Sequence, residues 1–289
     1  MNNKLLSFGH GYSAHALERL LPFDDWKILA TTRSLEKSNV ITNCKVSAFI
    51  WPGTDLVSEI KNATHILLSI PPNMDGDPVF LEYGNTIASS KNLKWIGYLS
   101  TTGVYGDHRG GWVDENTPLK PTTERGIKRV LAEQQWLELA KESSLPLNIF
   151  RLAGIYGLGR GPFSKVLAGT AKRIIKKGQV FSRIHVDDIA QILLASINNP
   201  NLTGVYNVCD DLSAPPEDVL SYAAELLKKE IPPEIDFLDA DMSEMARSFY
   251  AESKRVHNKK IKTDLGVVLK YVNYKEGLNA LFNHEFKQK

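Results

Sequence analysis

Gly9, Gly11 and Ala14, spaced as Gly-x-Gly-x-x-Ala, are the residues of this sequence best suited to holding a phosphate. In a strand–turn–helix, Gly9 allows the tight turn and Gly11 lets backbone approach a pyrophosphate. Ala14 lets helix pack closely on strand. His10, Tyr12 and Ser13 complete the loop and open the helix, whose free N–H groups would face the anion. A second set is Thr32, Arg33 and Ser34, one cation and two hydroxyls suited to phosphate oxygens. At this place in dinucleotide folds an acidic residue binds ribose hydroxyls, whereas an arginine accommodates a 2′-phosphate. No Asp or Glu stands between Lys27 and Leu35. The set therefore favours NADP, with NAD as the alternative. The plainer account of Arg33 is a solvent-exposed loop charge.

These residues need elements to position them. The apolar run 5–8 reads as a strand, and Ala14, Leu17, Leu20 and Leu21 form one helical stripe behind the glycines. Further strands are expected at 26–31, 46–51, 65–70 (closed by Pro71-Pro72), 94–99 and 147–152. Helices are expected at 56–61 and 79–89. Apolar strands without alternation suit burial on both faces, and the strand–helix alternation predicts an α/β, doubly wound parallel Rossmann sheet. Its ligands would lie beyond the strand carboxyl ends: Gly9 to Gly11, Thr32-Arg33, Trp51, Ile70-Pro71 and Ser100-Thr101. Trp51 would either cover an adenine or simply pack.

Composition narrows the class. The chain has 289 residues, 43% hydrophobic and 24% charged, with a formal net charge of +2. No strong field argues for nucleic acid, and the basic residues between Lys165 and Lys177 are most simply a solvated helix face, with a phosphate-bearing substrate as the secondary reading. Cys44 and Cys209 lack metal-ligand spacing and suggest no disulfide in a reducing compartment. No metal cluster is expected. Met1 to Lys4 run straight into a short strand, so no leader is expected. No apolar run reaches membrane-spanning length, which suggests a cytoplasmic protein without a membrane partner.

The fifth strand ends in Ser100-Thr101-Thr102-Gly103-Val104-Tyr105-Gly106, and a helix is expected at 122–141. There follow Arg151-Leu152-Ala153-Gly154-Ile155-Tyr156-Gly157, His185-Val186-Asp187-Asp188, Gly204-Val205-Tyr206-Asn207-Val208 and Ser253-Lys254-Arg255-Val256. In this order they resemble the extended short-chain dehydrogenase/reductase family, the nucleotide-sugar epimerase and dehydratase group, over nearly the whole chain. The resemblance places Thr101 where that family has its catalytic Ser/Thr. The family's Tyr-x-x-x-Lys, anchored on Glu133, falls on Arg125 and Arg129; a one-residue slip would use Lys128 instead. Neither register has a tyrosine. A guanidinium stays protonated and is no general acid/base, but it can hold a phosphate or polarise a carbonyl. The chain is thus similar to atypical members lacking the active-site tyrosine.

Groups able to move a proton in its stead are Tyr105, Tyr156, His108 and His185, each of which has a packing or loop role as its simpler account. Tyr105 is retained with Thr101, Arg125 and Arg129 as a catalytic candidate. If the family geometry holds, Gly154 passes beside the nicotinamide. Segments 1–157 and 182–211 would form the dinucleotide-binding core, and 158–181 with 212–289 a small substrate lobe. Helices are expected at 163–176 and from Pro216 to Lys229. Lys254, Arg255, Lys259 and Lys260 either face an anionic substrate or, on the plainer account, are solvated helix charge. The resemblance implies hydride transfer on a small or nucleotide-linked carbonyl or alcohol, including epimerisation without net redox change. A non-catalytic dinucleotide sensor or scaffold is the alternative, and oligomeric state is not legible.

Overall fold

The computed structural model describes residues 3–287. Met1 and Asn2, where the expectation of no leader begins, lie outside them. Strand and helix alternate from the start: β1 (Asn3–Phe8), α1 (Tyr12–Leu20), β2 (Trp26–Thr32), α2 (Leu35–Ile41), β3 (Val46–Ile50), α3 (Val57–Asn62), β4 (His65–Leu68), α4 (Pro78–Ala88) and β5 (Trp95–Thr101). A single 3-10 turn (Thr102–Tyr105) and the short β6 (Trp112–Val113) lead to the long α5 (Glu124–Ser143). Next come β7 (Leu147–Leu152), β8 (Gly154–Tyr156), α6 (Phe163–Leu167), β9 (Arg173–Ile175), β10 (Arg183–His185), α7 (Val186–Ile197) and β11 (Gly204–Val208). The chain closes with α8 (Pro216–Leu226), β12 (Glu234–Asp236), α9 (Glu244–Phe249), β13 (Arg255–Val256), α10 (Lys259–Thr263) and α11 (Tyr274–Phe286).

The main sheet has seven parallel strands in the order β11-β7-β5-β4-β1-β2-β3. The doubly wound α/β sheet expected from the sequence is therefore present. The strand order reverses beside β1, and the crevice at such a switch point is where these sheets bind ligands. Both sheet faces are buried. On β1, Leu5 joins the core formed with Leu17, Ile28 and Ile189, while Leu6 and Phe8 join the opposite core with Ile66, Tyr83 and Trp136. Trp51 belongs to this second core, edge-on to Phe8 at 5.6 Å, so of its two readings the packing one holds.

The helix expected over 163–176 ends early. The chain turns through Gly169 at φ +66 and enters β9, which pairs with β12, where Arg173 and Glu234 form an ion pair at 3.0 Å. The basic residues after Lys165 are therefore not one solvated helix face. Phe163, Val166, Ala223, Tyr274 and Leu278 build a third apolar cluster joining α6, α8 and α11. Ile261, Leu265 and Leu269 instead return to the main core. Among the described residues no helix is long and apolar enough to cross a membrane, and both cysteines are free thiols, Cys44 exposed and Cys209 buried.

His65 sits between Trp26 and Trp95, with ring centroids 4.6 and 6.4 Å away, and burial lowers its pKa from 6.5 to about 4. A base whose folded pKa is depressed contributes stability above its unfolded pKa, and loses that contribution as pH falls through the folded value. The stability advantage of the parent over His65→Asn should accordingly be largest near about pH 7 and shrink towards about pH 4. Urea unfolding at the two pH values checks this; an advantage unchanged with pH would contradict it.

Candidate functional site

A cleft of about 810 Å³ opens beyond the carboxyl ends of β1, β5 and β7. Its first wall is the glycine loop. Gly9 adopts φ +80, and a Cβ there would stand 2.9 Å from Ile70 Cγ1, so both backbone and packing demand glycine. Thr31 anchors the loop: its Oγ1 accepts from Gly9 N–H at 2.9 Å and its carbonyl from His10 N–H at 3.2 Å. Gly11 is different. A Cβ there would meet nothing nearer than the Gly9 carbonyl at 3.9 Å, so its missing side chain leaves open space in the cleft. Gly11 is also the N-cap of α1 and offers no side chain to the helix N–H groups. Open space before an uncapped helix N-terminus is an arrangement that fits a pyrophosphate.

The second wall comes from β5 and α5. Gly126 lets the start of α5 approach the turn after β5; a Cβ there would lie 2.9 Å from the Gly103 carbonyl. This contact brings Arg125 and Arg129 into the same cleft as Ser100 and Thr101. Thr101 Oγ1 accepts from Gly103 N–H at 3.2 Å. Arg129 Nη1 donates to the Leu99 carbonyl at 2.8 Å and to Tyr98 Oη at 2.9 Å, which fixes it on the cleft floor. The Arg125 guanidinium lies 4.5 Å from the Phe249 ring centroid. Lys128 pairs with Glu124 on the outer helix face, away from the cleft, so Arg125 and Arg129 are the pair that faces it.

Below this wall runs a buried polar chain. Arg151 Nη2 donates to Glu133 Oε2 at 2.7 Å, Ser100 Oγ donates to Glu133 Oε1, and Arg151 Nη1 donates to Tyr105 Oη at 2.9 Å. Tyr105 in turn donates to Asn207 Oδ1 at 2.7 Å. Tyr105 is fully buried, does not line the cleft, and burial pushes its hydroxyl up to about 12. This corrects the placement of Tyr105 among the catalytic candidates, since its hydroxyl is committed inside the protein. His185 also lies outside the cleft lining: its Nδ1 accepts from Asp187 N–H at 3.1 Å at the start of α7, its Nε2 is buried without a partner among the described residues, and burial lowers its pKa to about 4. His108 contacts the Tyr105 carbonyl at 3.2 Å. Tyr156 does line the cleft, but it is buried against Gly277, and burial raises its pKa.

The cofactor residues divide similarly. Gly9, Gly11, Tyr12, Ser13, Ala14, Ser100 and Gly154 line the cleft. Thr32, Arg33, Ser34, Ile70 and Pro71 do not; Arg33 is exposed at the end of β2, and the Ser34 hydroxyl caps α2 by accepting from Lys37 N–H at 3.3 Å. His10 points behind the loop, where burial lowers its pKa.

Two contributions were not legible in the sequence. Lys254 is not solvated helix charge. It is buried in the cleft wall with its Nζ donating to Glu252 Oε2 at 2.7 Å. Glu252 also accepts from Thr122 Oγ1 at 2.8 Å, just before α5. On the other side, Val256 N–H donates to Ser182 Oγ at 3.1 Å, and Gly154 N–H to the Ser182 carbonyl at 3.1 Å. Lys254 thus stands between the Thr122–Arg125 turn and the Gly154 strand. The second contribution is Arg160, which lines the cleft and covers the Tyr12 ring at 5.7 Å, while Tyr12 Oη donates to the Leu158 carbonyl at 2.9 Å. Both depend on contacts between segments far apart in the chain, which no local pattern announces.

Residues 86–209 match the NAD-dependent epimerase/dehydratase family model. A solved structure of a functionally unknown conserved protein from Silicibacter pomeroyi DSS is 52% identical, with a TM-score of 0.91 over 98% of this chain and 99% of that one. The UDP-glucuronic acid 4-epimerase from Bacillus cereus, solved with UDP-glucuronic acid and NAD, is 17% identical, with a TM-score of 0.79 over 99% of this chain and 100% of that one. The UDP-N-acetylglucosamine 4-epimerase from Bacillus cereus is 14% identical, with a TM-score of 0.76 over 98% of this chain and 99% of that one. At such identities the last two likenesses are of fold. No curated protein matches in sequence.

Proposed function

The chain belongs to the NAD-dependent epimerase/dehydratase family, and from that premise we propose an oxidoreductase or epimerase that binds a nicotinamide dinucleotide and acts on a nucleotide-linked or small carbonyl or alcohol. The observation that carries this reading is the convergence of the glycine loop, Thr101, Arg125 and Lys254 on one cleft. The N–H groups of α1 and the space beside Gly11 hold the pyrophosphate. Arg33, in a strand end with no Asp or Glu between Lys27 and Leu35, favours NADP over the NAD seen in the Bacillus cereus epimerase complex. We assign the substrate lobe to segments 158–181 and 212–260 together with α11, residues 261–269 being packed into the main core.

When bound, the nicotinamide supplies or accepts the hydride. The protein's task is to orient the reacting carbonyl and to move one proton. Thr101 donates a hydrogen bond to the carbonyl oxygen, and Arg125 binds anionic substrate groups. Lys254 takes the place of the absent tyrosine: its ammonium gives a proton to the oxygen as the alcohol forms, and its amine takes that proton back in the reverse direction. Glu252 keeps the ammonium aimed into the cleft.

Lys254→Met is expected to lower turnover by about 10²–10⁴-fold, the usual worth of a positioned proton donor, while NADPH affinity stays within about twofold. Reduction of NADP by UDP-glucuronic acid, together with oxidation of NADPH by its 4-keto derivative and small ketones, measures the first, and a fluorescence titration the second. Equal turnover in parent and variant would remove Lys254 from the reaction. The absence of a tyrosine favours a second reading, a dinucleotide sensor. A chain that binds NADPH tightly and oxidises it with none of these compounds would support that one.

A further inference from the structure

Behind the glycine loop, on the side away from the cleft, His10, His15 and Glu18 converge. Each offers one ligand atom, and these atoms lie within 4.8 Å of one another. His10 Nε2 stands 3.0 Å and His15 Nδ1 3.1 Å from the same oxygen, Glu18 Oε2. Two imidazole nitrogens aimed at one carboxylate oxygen form a compact N2O donor set. A tetrahedral zinc ion with bonds of about 2.0–2.1 Å has ligand–ligand edges of about 3.3 Å. The two imidazole–carboxylate edges thus need to lengthen by only a few tenths of an ångström to admit the ion, and the edge between the imidazole nitrogens lies within 4.8 Å.

The surroundings match what such sites need. The far nitrogen of the His10 ring, Nδ1, is held by Ser7 Oγ at 3.0 Å, which fixes the ring so that Nε2 faces the cluster. The other Glu18 oxygen, Oε1, accepts from Asn43 Nδ2 at 3.3 Å. Lys45 is turned to the carbonyls of Glu18 and Leu21, not to the carboxylate. The His10 side chain is wholly buried, but that of His15 is 41% exposed, which leaves an entry path and a position for water.

We propose that His10, His15 and Glu18 form a binding site for a zinc-like divalent transition metal, completed by water, that ties the glycine loop to the first two turns of α1. The expectation of no metal cluster, which rested on the cysteines, missed it because the loop residue His10 meets the helix residues only after folding. The His15 and Glu18 spacing of i, i+3 on one helix was the local signal available. The donor set of two imidazoles and one carboxylate suits zinc, cobalt or nickel better than calcium or magnesium. This site stands on its own geometry and does not rest on the proposed enzyme reaction.

The test uses the full chain, stripped of metal by a chelator and dialysed, then titrated with zinc chloride by calorimetry and with cobalt(II) by visible absorption. The expected result is one equivalent of zinc with a Kd at or below about 10 µM, together with the intense visible bands of tetrahedral cobalt. His15→Ala and Glu18→Gln, both at partly exposed positions, should weaken zinc by more than about a hundredfold. Cys44→Ser should leave it unchanged, and circular dichroism of each variant should match the parent. Failure of the parent to bind one equivalent, or equal binding in His15→Ala and Glu18→Gln, would overturn the site. Binding lost in Cys44→Ser would place the metal elsewhere and would also overturn it.

Discussion

Arg151→Met should lower the unfolding free energy by about 3–5 kcal/mol, because it leaves the Glu133 carboxylate buried without its partner. Glu133 is wholly buried, and Arg151, 4% exposed, is the only cation among its hydrogen-bond partners in the described residues. The substitution also strips Tyr105 of the Nη1 donor at 2.9 Å. The pair links α5 to β7, and through Ser100 to β5, so the loss falls on the elements that carry the second wall of the cleft. Removing both charges is a different matter. The double variant Glu133→Leu with Arg151→Met should recover most of the loss, since apolar groups of similar size replace the pair without stranding a charge. Urea unfolding of parent, single and double variants measures each step. A single variant within about 1 kcal/mol of the parent would mean that solvent reaches the Glu133 carboxylate.

The second large effect falls on binding. Gly9→Ala introduces a Cβ 2.9 Å from Ile70 Cγ1 at a backbone φ of +80. The left-handed conformation costs an alanine about 1–2 kcal/mol, and the contact forces the loop or β4 to move. The chain should remain folded, with stability reduced by about that amount. Dinucleotide affinity should fall about a hundredfold, equivalent to about 2.7 kcal/mol, because a shifted Gly9 misplaces the α1 N–H groups and the space beside Gly11. Gly11→Ala separates the two effects. Its Cβ meets nothing in the protein nearer than 3.9 Å, so stability should be nearly unchanged while affinity drops. Thermal unfolding and NADPH titration on both variants give the comparison. A Gly11→Ala chain that binds as tightly as the parent would mean that the pyrophosphate lies elsewhere.

Much of the fold could be read from the order of residues because it rests on local signals. Continuous apolar runs mark the parallel strands, and the glycine loop between β1 and α1 marks one of the strand ends beyond which a ligand would lie. Thr101 and the register of Arg125 and Arg129 follow from one strand end and one helix, both local. What escaped depends on contacts between distant segments. Lys254 looks like a surface charge because it stands in the polar run Glu252-Ser253-Lys254-Arg255; its pairing with Glu252 in the cleft wall arises only after folding. Tyr105 had the right residue type beside the right strand, but its hydroxyl is turned inward by Arg151 and Asn207, neither of which is a neighbour in the chain. The helix expected over 163–176 failed because β9 gains its hydrogen bonds from β12, a partner far along the chain. His10 served as a loop residue in the sequence reading, and its side chain instead completes a cluster on the hidden side of that loop.

The central claim is that the cleft holds a nicotinamide dinucleotide and that Arg33 selects the phosphorylated form. Titration of the full chain with NADPH and NADH, followed by energy transfer from tryptophan to the reduced nicotinamide, addresses it most directly. The account predicts saturation by NADPH at micromolar concentration, with NADH weaker by about tenfold or more, a gap of about 1.4 kcal/mol. Tighter binding of NADH would overturn the role given to Arg33, and no saturation by either up to about 1 mM would contradict the central claim itself.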